Sequence, residues 1–271
     1  MHHVREAAVA GAFYPWHREA LMDEVASLLA VADAQMDGTV TAPKALIVPH
    51  AGYIYSGATA ALAYARLAGA RDSIERVVLL GPVHRVPVRG LALAGASAFA
   101  TPLGEVQVDA QAITRLSSLP QIVTSAAAHE LEHSLEVQLP FLQTVLPNFK
   151  LVPLAVGDAS AQEVDQVLET LWGGPETLIV ISSDLSHFLP YEEAQTVDGD
   201  TVQRILELNG PLTHTQACGG TPISGLLLAA RRHHLTPHLL GLCNSGDTAG
   251  DKQRVVGYTA ISFTEVSDGP H

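Results

Sequence analysis

Cysteine is scarce: the 271 residues hold two. Two cannot staple a chain of this length into a disulfide scaffold, so a packed apolar core has to hold the fold. Aromatics are scarce as well, at 5%, so aliphatic side chains must fill that core. Charged residues reach only 16%, against roughly a quarter in ordinary soluble domains. So thin a charged surface fits a large buried fraction, or subunit contacts in a homo-oligomer. Basic residues are scattered and number 15 against 28 acidic ones, for a net charge of −13. Polyanion binding needs clustered Lys and Arg, so nucleic acid and anionic membrane surfaces are excluded as principal partners. The expected partner is a small molecule or peptide of unknown identity. No apolar run is long enough to span a bilayer, and the first eleven residues lack the apolar core of a secretory signal. The expected location is the cytoplasm, with reduced thiols.

What the chain does have is 47% hydrophobic content arranged in two alternating patterns. Short aliphatic runs at 44–49, 76–81, 151–156 and 177–182 read as buried strands. Shorter strands are expected at 90–94, 105–108 and 239–242, and a longer one at 255–263. Helical spacing or Ala-rich composition marks 16–31, 57–67, 134–145, 161–171, 200–208 and 225–232, with Pro140 expected to kink or stop its helix. The alternation argues for one α/β domain over 1–271, a three-layer α/β/α arrangement with a mostly parallel central sheet. Neither the loose stretch 32–42 nor the polar tail 267–271 suggests a second domain.

Three of the buried runs lead into histidines. Ala45-Leu46-Ile47-Val48-Pro49 precedes His50, Val77-Val78-Leu79-Leu80-Gly81-Pro82-Val83 precedes His84, and Leu178 to Ser183 precedes Asp184 and then His187. Open α/β sheets bind ligands beyond the carboxyl ends of their strands, so three such histidines can meet at one edge. A single loop histidine would be read as a solvated residue; three after three core strands read as a site. Cys218, in Ala217-Cys218-Gly219-Gly220, stands just before a helix, where amides and dipole favour a thiolate. Cys243 reads as a small buried hydrophobe instead. Two imidazoles with one anionic ligand resemble a facial metal triad, and sulfur tilts the preference toward iron, zinc or copper. His187 and Asp184 then serve as acid, base or orienting groups. The run from His129 through Glu132 and His133 to Ser134 lacks the zincin spacing and reads as the polar entrance of a helix, with Glu132 complementing its dipole. His214, His233, His234 and His238 have no such context.

The motifs together resemble a known family. Gly11-Ala12-Phe13-Tyr14-Pro15, Val48-Pro49-His50-Ala51-Gly52-Tyr53, Leu80-Gly81-Pro82-Val83-His84, Glu132-His133-Ser134-Leu135-Glu136, Ser182-Ser183-Asp184-Leu185-Ser186-His187 and Cys218-Gly219 occur in order, up to Gly257-Tyr258. The chain looks like a member of the Memo family, also called AmmeMemoRadiSam system protein B, which is similar in fold to the class III extradiol dioxygenases (LigB-like). The resemblance implies a metal pocket of His50, His84 and Cys218, with His187 and Asp184 beside it and His133 as a second active-site histidine. It implies iron as cofactor, with copper or zinc as alternatives, and a redox enzyme. A ring-cleaving dioxygenase and a non-catalytic peptide or small-ligand binding module are the other functions it leaves open. Cys218 stands where the dioxygenases carry a metal-binding Glu, and Arg85 where animal relatives often carry a further His.

Overall fold

The computed structural model describes residues 3–36 and 41–265, so the tail 267–271 and part of the stretch 32–42 lie outside the described residues. In chain order the elements are β1 (Val4–Arg5), α1 (Arg18–Asp33), β2 (Ala45–Val48), α2 (Tyr53–Ala65), β3 (Arg76–Pro82), β4 (Leu91–Leu93), β5 (Ala98–Thr101), β6 (Gly104–Gln107), α3 (Ala110–Leu116) and β7 (Ile122–Thr124). Then come α4 (Ala126–Glu130), α5 (Leu139–Val145), β8 (Lys150–Val156), α6 (Ala161–Leu171), β9 (Thr177–Ser182), β10 (His187–Leu189), α7 (Tyr191–Leu206), α8 (Gly220–Arg232), β11 (Leu235–Asn244) and β12 (Val255–Glu265).

The main sheet runs β10-β12-β2-β9-β3-β8-β4-β7, with β11 on the outside of β12. Its centre, β2-β9-β3-β8, is parallel throughout. Antiparallel pairings then add β12 beside β2 and β4 beside β8. A second, small sheet, β1-β5-β6, adjoins β8 just past β6, where Val108 bridges Leu151.

Side chains alternate across a strand, so a continuously apolar strand must feed two cores. Leu46, Val48, Leu79, Leu178 and Val180 face a core shared with α1, α2 and α5. Their neighbours Ala45, Ile47, Val78, Leu80, Ile179 and Ile181 face the opposite core, closed by α3, α6 and α8. That division is the three-layer arrangement expected from the sequence. Each fully buried Leu or Ile contributes about 1.5–3 kcal/mol by leaving water.

The expected elements recur with shifted ends. Helix α2 starts four residues before 57, and α7 starts at Tyr191 where the spacing marks 200. Pro140 does not kink a helix. It stands in the first turn of α5, after a 3-10 turn over Glu136–Gln138, where a missing N–H is no loss. The entrance expected at Glu132 is likewise not a helix start: the residue lies in the turn after α4.

Candidate metal centre

His50 and His84 each come two residues after the end of a parallel strand, β2 and β3. Strand β9 runs between those two and is followed, two residues on, by Asp184. Adjacent strands are about 4.8 Å apart, so side chains leaning inward from β2 and β3 meet above the end of β9. The His50 and His84 ring centroids are 5.2 Å apart. His133 completes the group, at 5.3 Å from His50 and 4.7 Å from His84. One potential ligand atom from each of these three residues lies within 4.8 Å of the other two. His50 is buried, whereas His84 opens to solvent, so the group is reachable from outside.

Cys218 arrives from the segment before α8. Its Sγ lies 3.3 Å from Nε2 of His50. The approach depends on Gly219, where a Cβ would stand 2.7 Å from the Cβ of Ser183. The Gly219 amide donates to Ser183 Oγ at 2.8 Å, and the Asp184 amide donates to the sulfur at 3.3 Å. The lowered thiol pKa expected from a helix N-terminus is not found. Desolvation, with the Asp184 carboxyl beside it, pushes the thiol up to about 12 and outweighs those amides.

Hydrogen bonds fix the ring of His50. Ser182 Oγ donates its one proton to the Ser134 carbonyl at 2.6 Å and receives Gln138 Nε2 at 2.9 Å. The Ser182 oxygen can therefore only accept from His50 Nδ1, 2.9 Å away. His50 thus carries its proton on Nδ1 and turns a lone pair on Nε2 toward Cys218. Burial, with His133 and His84 close by, holds its pKa well below the usual imidazole range, so the ring stays neutral. His187 follows the same rule: its Nδ1 is 2.9 Å from the Leu185 carbonyl, which can only accept, leaving Nε2 as the basic nitrogen.

Asp184 is buried and receives the backbone amide of His50 on Oδ1 at 2.7 Å, with Oδ2 3.9 Å from His50 Nε2. Burial raises its pKa above the ordinary carboxylate range against the pull of these neighbours. Glu132 behaves oppositely. Burial penalises its charge, but the ring and amide of His84 and the amide of Ser134 prevail and hold its pKa down at about 2.

A cavity of about 420 Å³ opens beside His84 and Cys218, with Pro82, Val83, Pro87 and Val88 among its walls. His214 lines it too, its Nδ1 3.3 Å from the Cys218 carbonyl. Sequence reasoning passed over His214. The only available signal was its position four residues before Cys218. His129, by contrast, is a core residue bonded to the Ala92 carbonyl at 2.8 Å. The larger cavity, about 990 Å³, lies at the opposite edge of the sheet, around Arg76 and Lys150.

The family model for Memo-like proteins matches residues 5–262, and so spans every residue named in this site. The chain belongs to the Memo family. A MEMO1 family protein of Aquifex aeolicus is 36% identical, covering 96% of this chain and 99% of that one. Relatives under the same name in Methanosarcina acetivorans and Metallosphaera sedula are 36% and 35% identical, over 95% and 81% of this chain and 98% and 82% of theirs. Among solved structures, an uncharacterized protein from Escherichia coli K12 matches at a TM-score of 0.46 and 15% identity, over 80% of this chain and 98% of that one, a likeness that carries no argument.

Proposed function

We propose that this Memo-family chain is a metal-binding protein whose centre, holding iron or else copper, serves a metal-dependent redox reaction; zinc, the other candidate ion, would support Lewis-acid chemistry alone. The observation that carries the reading is the convergence of His50, His84 and His133, with the Cys218 sulfur 3.3 Å from His50 Nε2. The donors fit such an ion. Imidazole nitrogen and sulfur favour first-row transition metals and zinc over magnesium or calcium. Metal bonds of about 2.0–2.1 Å to nitrogen and about 2.3 Å to sulfur set two ligands of one ion roughly 3.5 Å apart. His50, His84 and Cys218 would hold it, with His133 as a further imidazole within reach.

Iron or copper bound there would supply a Lewis-acid and redox centre, and zinc a Lewis acid alone. The chain's own groups do the rest. His187, with its proton on Nδ1, offers Nε2 to take a proton from a substrate hydroxyl. Asp184 holds the backbone of His50 and sits beside Cys218. The apolar wall of Pro82, Val83, Pro87 and Val88 keeps water from one side of a small substrate.

Replacing Cys218→Ser and measuring metal by elemental analysis tests the ligand set: metal content should fall several-fold. Unchanged stoichiometry removes sulfur from the set. The apolar cavity also favours a second reading, an extradiol-type ring cleavage. Ring-opened product from a catechol panel, after anaerobic Fe(II) loading and then oxygen, would establish it; no product counts against it. A non-catalytic binding module draws on the exposed Ile54, Leu131 and Phe188, each within two residues of Gly52, His133 or His187. Peptide affinity that survives metal removal and His187→Ala would place binding outside the pocket.

A further inference from the structure

We propose that Glu132 is a positioning residue that locks His84 and His133 together, holding His84 in the tautomer with its proton on Nδ1 and His133 alongside it. The use of the freed nitrogens rests on the metal-centre reading; the tautomer itself does not.

Glu132 is 2% exposed, yet its carboxylate is ringed by donors. Oε2 receives the backbone amide of His84 at 2.6 Å. Oε1 receives the amides of His133 and Ser134, each at 2.9 Å. The same Oε1 lies 2.9 Å from His84 Nδ1 and 3.3 Å from His133 Nδ1. An ionised carboxylate can only accept hydrogen bonds. The Nδ1 of His84 must therefore donate, so a proton sits there, and in the neutral ring Nε2 carries the lone pair. Only in that form can Nε2 bind a cation.

A carboxylate that merely capped its own turn would need the amides of His133 and Ser134 and nothing more. Glu132 also binds both the amide and the ring of His84, a residue from the end of β3 and 48 positions away. Gripping one residue at backbone and side chain fixes its ring in direction as well as in place. The two rings lie 4.7 Å apart at 29°, with His133 Nδ1 3.3 Å from the carboxylate oxygen that the His84 ring binds. The contact between the segments is supported independently. Ser134 Oγ donates to the Pro82 carbonyl at 2.9 Å, and a Cβ at Gly81 would come within 2.8 Å of that Oγ. A glutamine cannot replace the carboxylate, because its amide end offers donors where the His84 amide needs an acceptor.

The test uses the full chain, labelled with ¹⁵N and stripped of metal by chelation. Two-bond ¹H–¹⁵N correlations of the imidazoles report the tautomer, with His84 assigned by its loss in His84→Gln. The expected spectrum shows His84 protonated at Nδ1, shifting toward an Nε2–H mixture in Glu132→Ala, which removes every acceptor. Zn²⁺ affinity, measured by competition with a chromophoric chelator, should fall roughly 10–100-fold in that variant. Glu132→Asp should recover part of both. A wild-type His84 protonated at Nε2 overturns the proposal, even if Glu132→Ala fails to fold. So does an unchanged His84 tautomer in a folded Glu132→Ala. If the tautomer shifts as expected while the wild type binds no Zn²⁺, the positioning role stands and the metal reading fails. Zn²⁺ bound by a wild type whose tautomer ignores Glu132 gives the reverse.

Discussion

Several single residues in this chain carry polar duties inside an aliphatic protein. Lys44, 6% exposed, points its ammonium at the carbonyls of Trp172, Gly174 and Thr177, at 2.6, 2.8 and 2.8 Å. Two of these lie at and just past the end of α6, where backbone acceptors have no partner within the helix. Lys44→Met keeps the apolar stem and orphans three carbonyls. Chemical denaturation should show a loss of about 1–3 kcal/mol, the cost of leaving buried acceptors unmade. A loss under about 0.5 kcal/mol would mean that water replaces the ammonium. The sequence announces Lys44 only as the charged edge of an aliphatic run, and gives no sign of the three carbonyls it serves.

Among the elements, the strand ends and the helix caps divide the work. The ends of β2, β3 and β9 deliver the site, and caps hold the helices that cover the sheet. Asp109 is the cap of α3: it receives the Ala112 amide at 2.9 Å and pairs with Arg76 at 2.7 Å. Burial works against its charge, but the amide and the guanidinium win and keep its pKa below the ordinary value. A folded pKa below the unfolded one means the unfolded chain binds more protons in acid. The contribution of Asp109 is therefore complete above about pH 4, the unfolded value, and is lost as pH falls through the folded value. Asp109→Asn keeps a capping oxygen but removes the charge facing Arg76, and should lower stability at about pH 6 by about 1.5 kcal/mol, the low end for a hydrogen bond between charged groups. The gap to wild type should narrow in urea titrations below about pH 4; a gap that stays constant would show that the charge is idle. A second device joins elements through a buried ion pair. Glu136 receives the guanidinium of Arg5, the amides of Ala8 and Val9 at 2.8 and 3.0 Å, and Tyr14 Oη at 2.6 Å. That ties the first residues of the chain to the segment carrying Glu132 and His133.

For the molecule as a whole, the site draws on four distant segments, around 50, 84, 133 and 218, so an ion bound there ties the two faces of the sheet together. An ion that binds only the folded chain stabilises it by mass action. With free Zn²⁺ held about a hundredfold above its dissociation constant, the gain is about 2.7 kcal/mol. At about 2–4 °C per kcal/mol for a chain near this size, calorimetry should record a rise of roughly 5–10 °C. Cys218→Ser should remove most of that rise, and a wild type whose melting ignores the metal would contradict the proposed centre. No described helix is long and apolar enough to cross a membrane.

The sequence by itself determined the layered α/β architecture, because unbroken aliphatic strands alternating with amphipathic helices have one economical packing. It also marked His50 and His84 as neighbours, since parallel strands carry the residues just past their ends to one edge of the sheet; the third histidine it offered there was His187, whereas the structure groups His133 with those two. The short strands β1, β5, β7 and β10 escaped it, being two to four residues long with no period to detect. Only the tertiary structure brought the 132–134 turn against the end of β3, turned Glu132 from a helix-end charge into a shared anchor, and set His214 on the cavity wall. It also raised the Cys218 thiol where local position argued for lowering it. Those outcomes depend on desolvation and on donors arriving from remote segments, and neither is written in the residues next door.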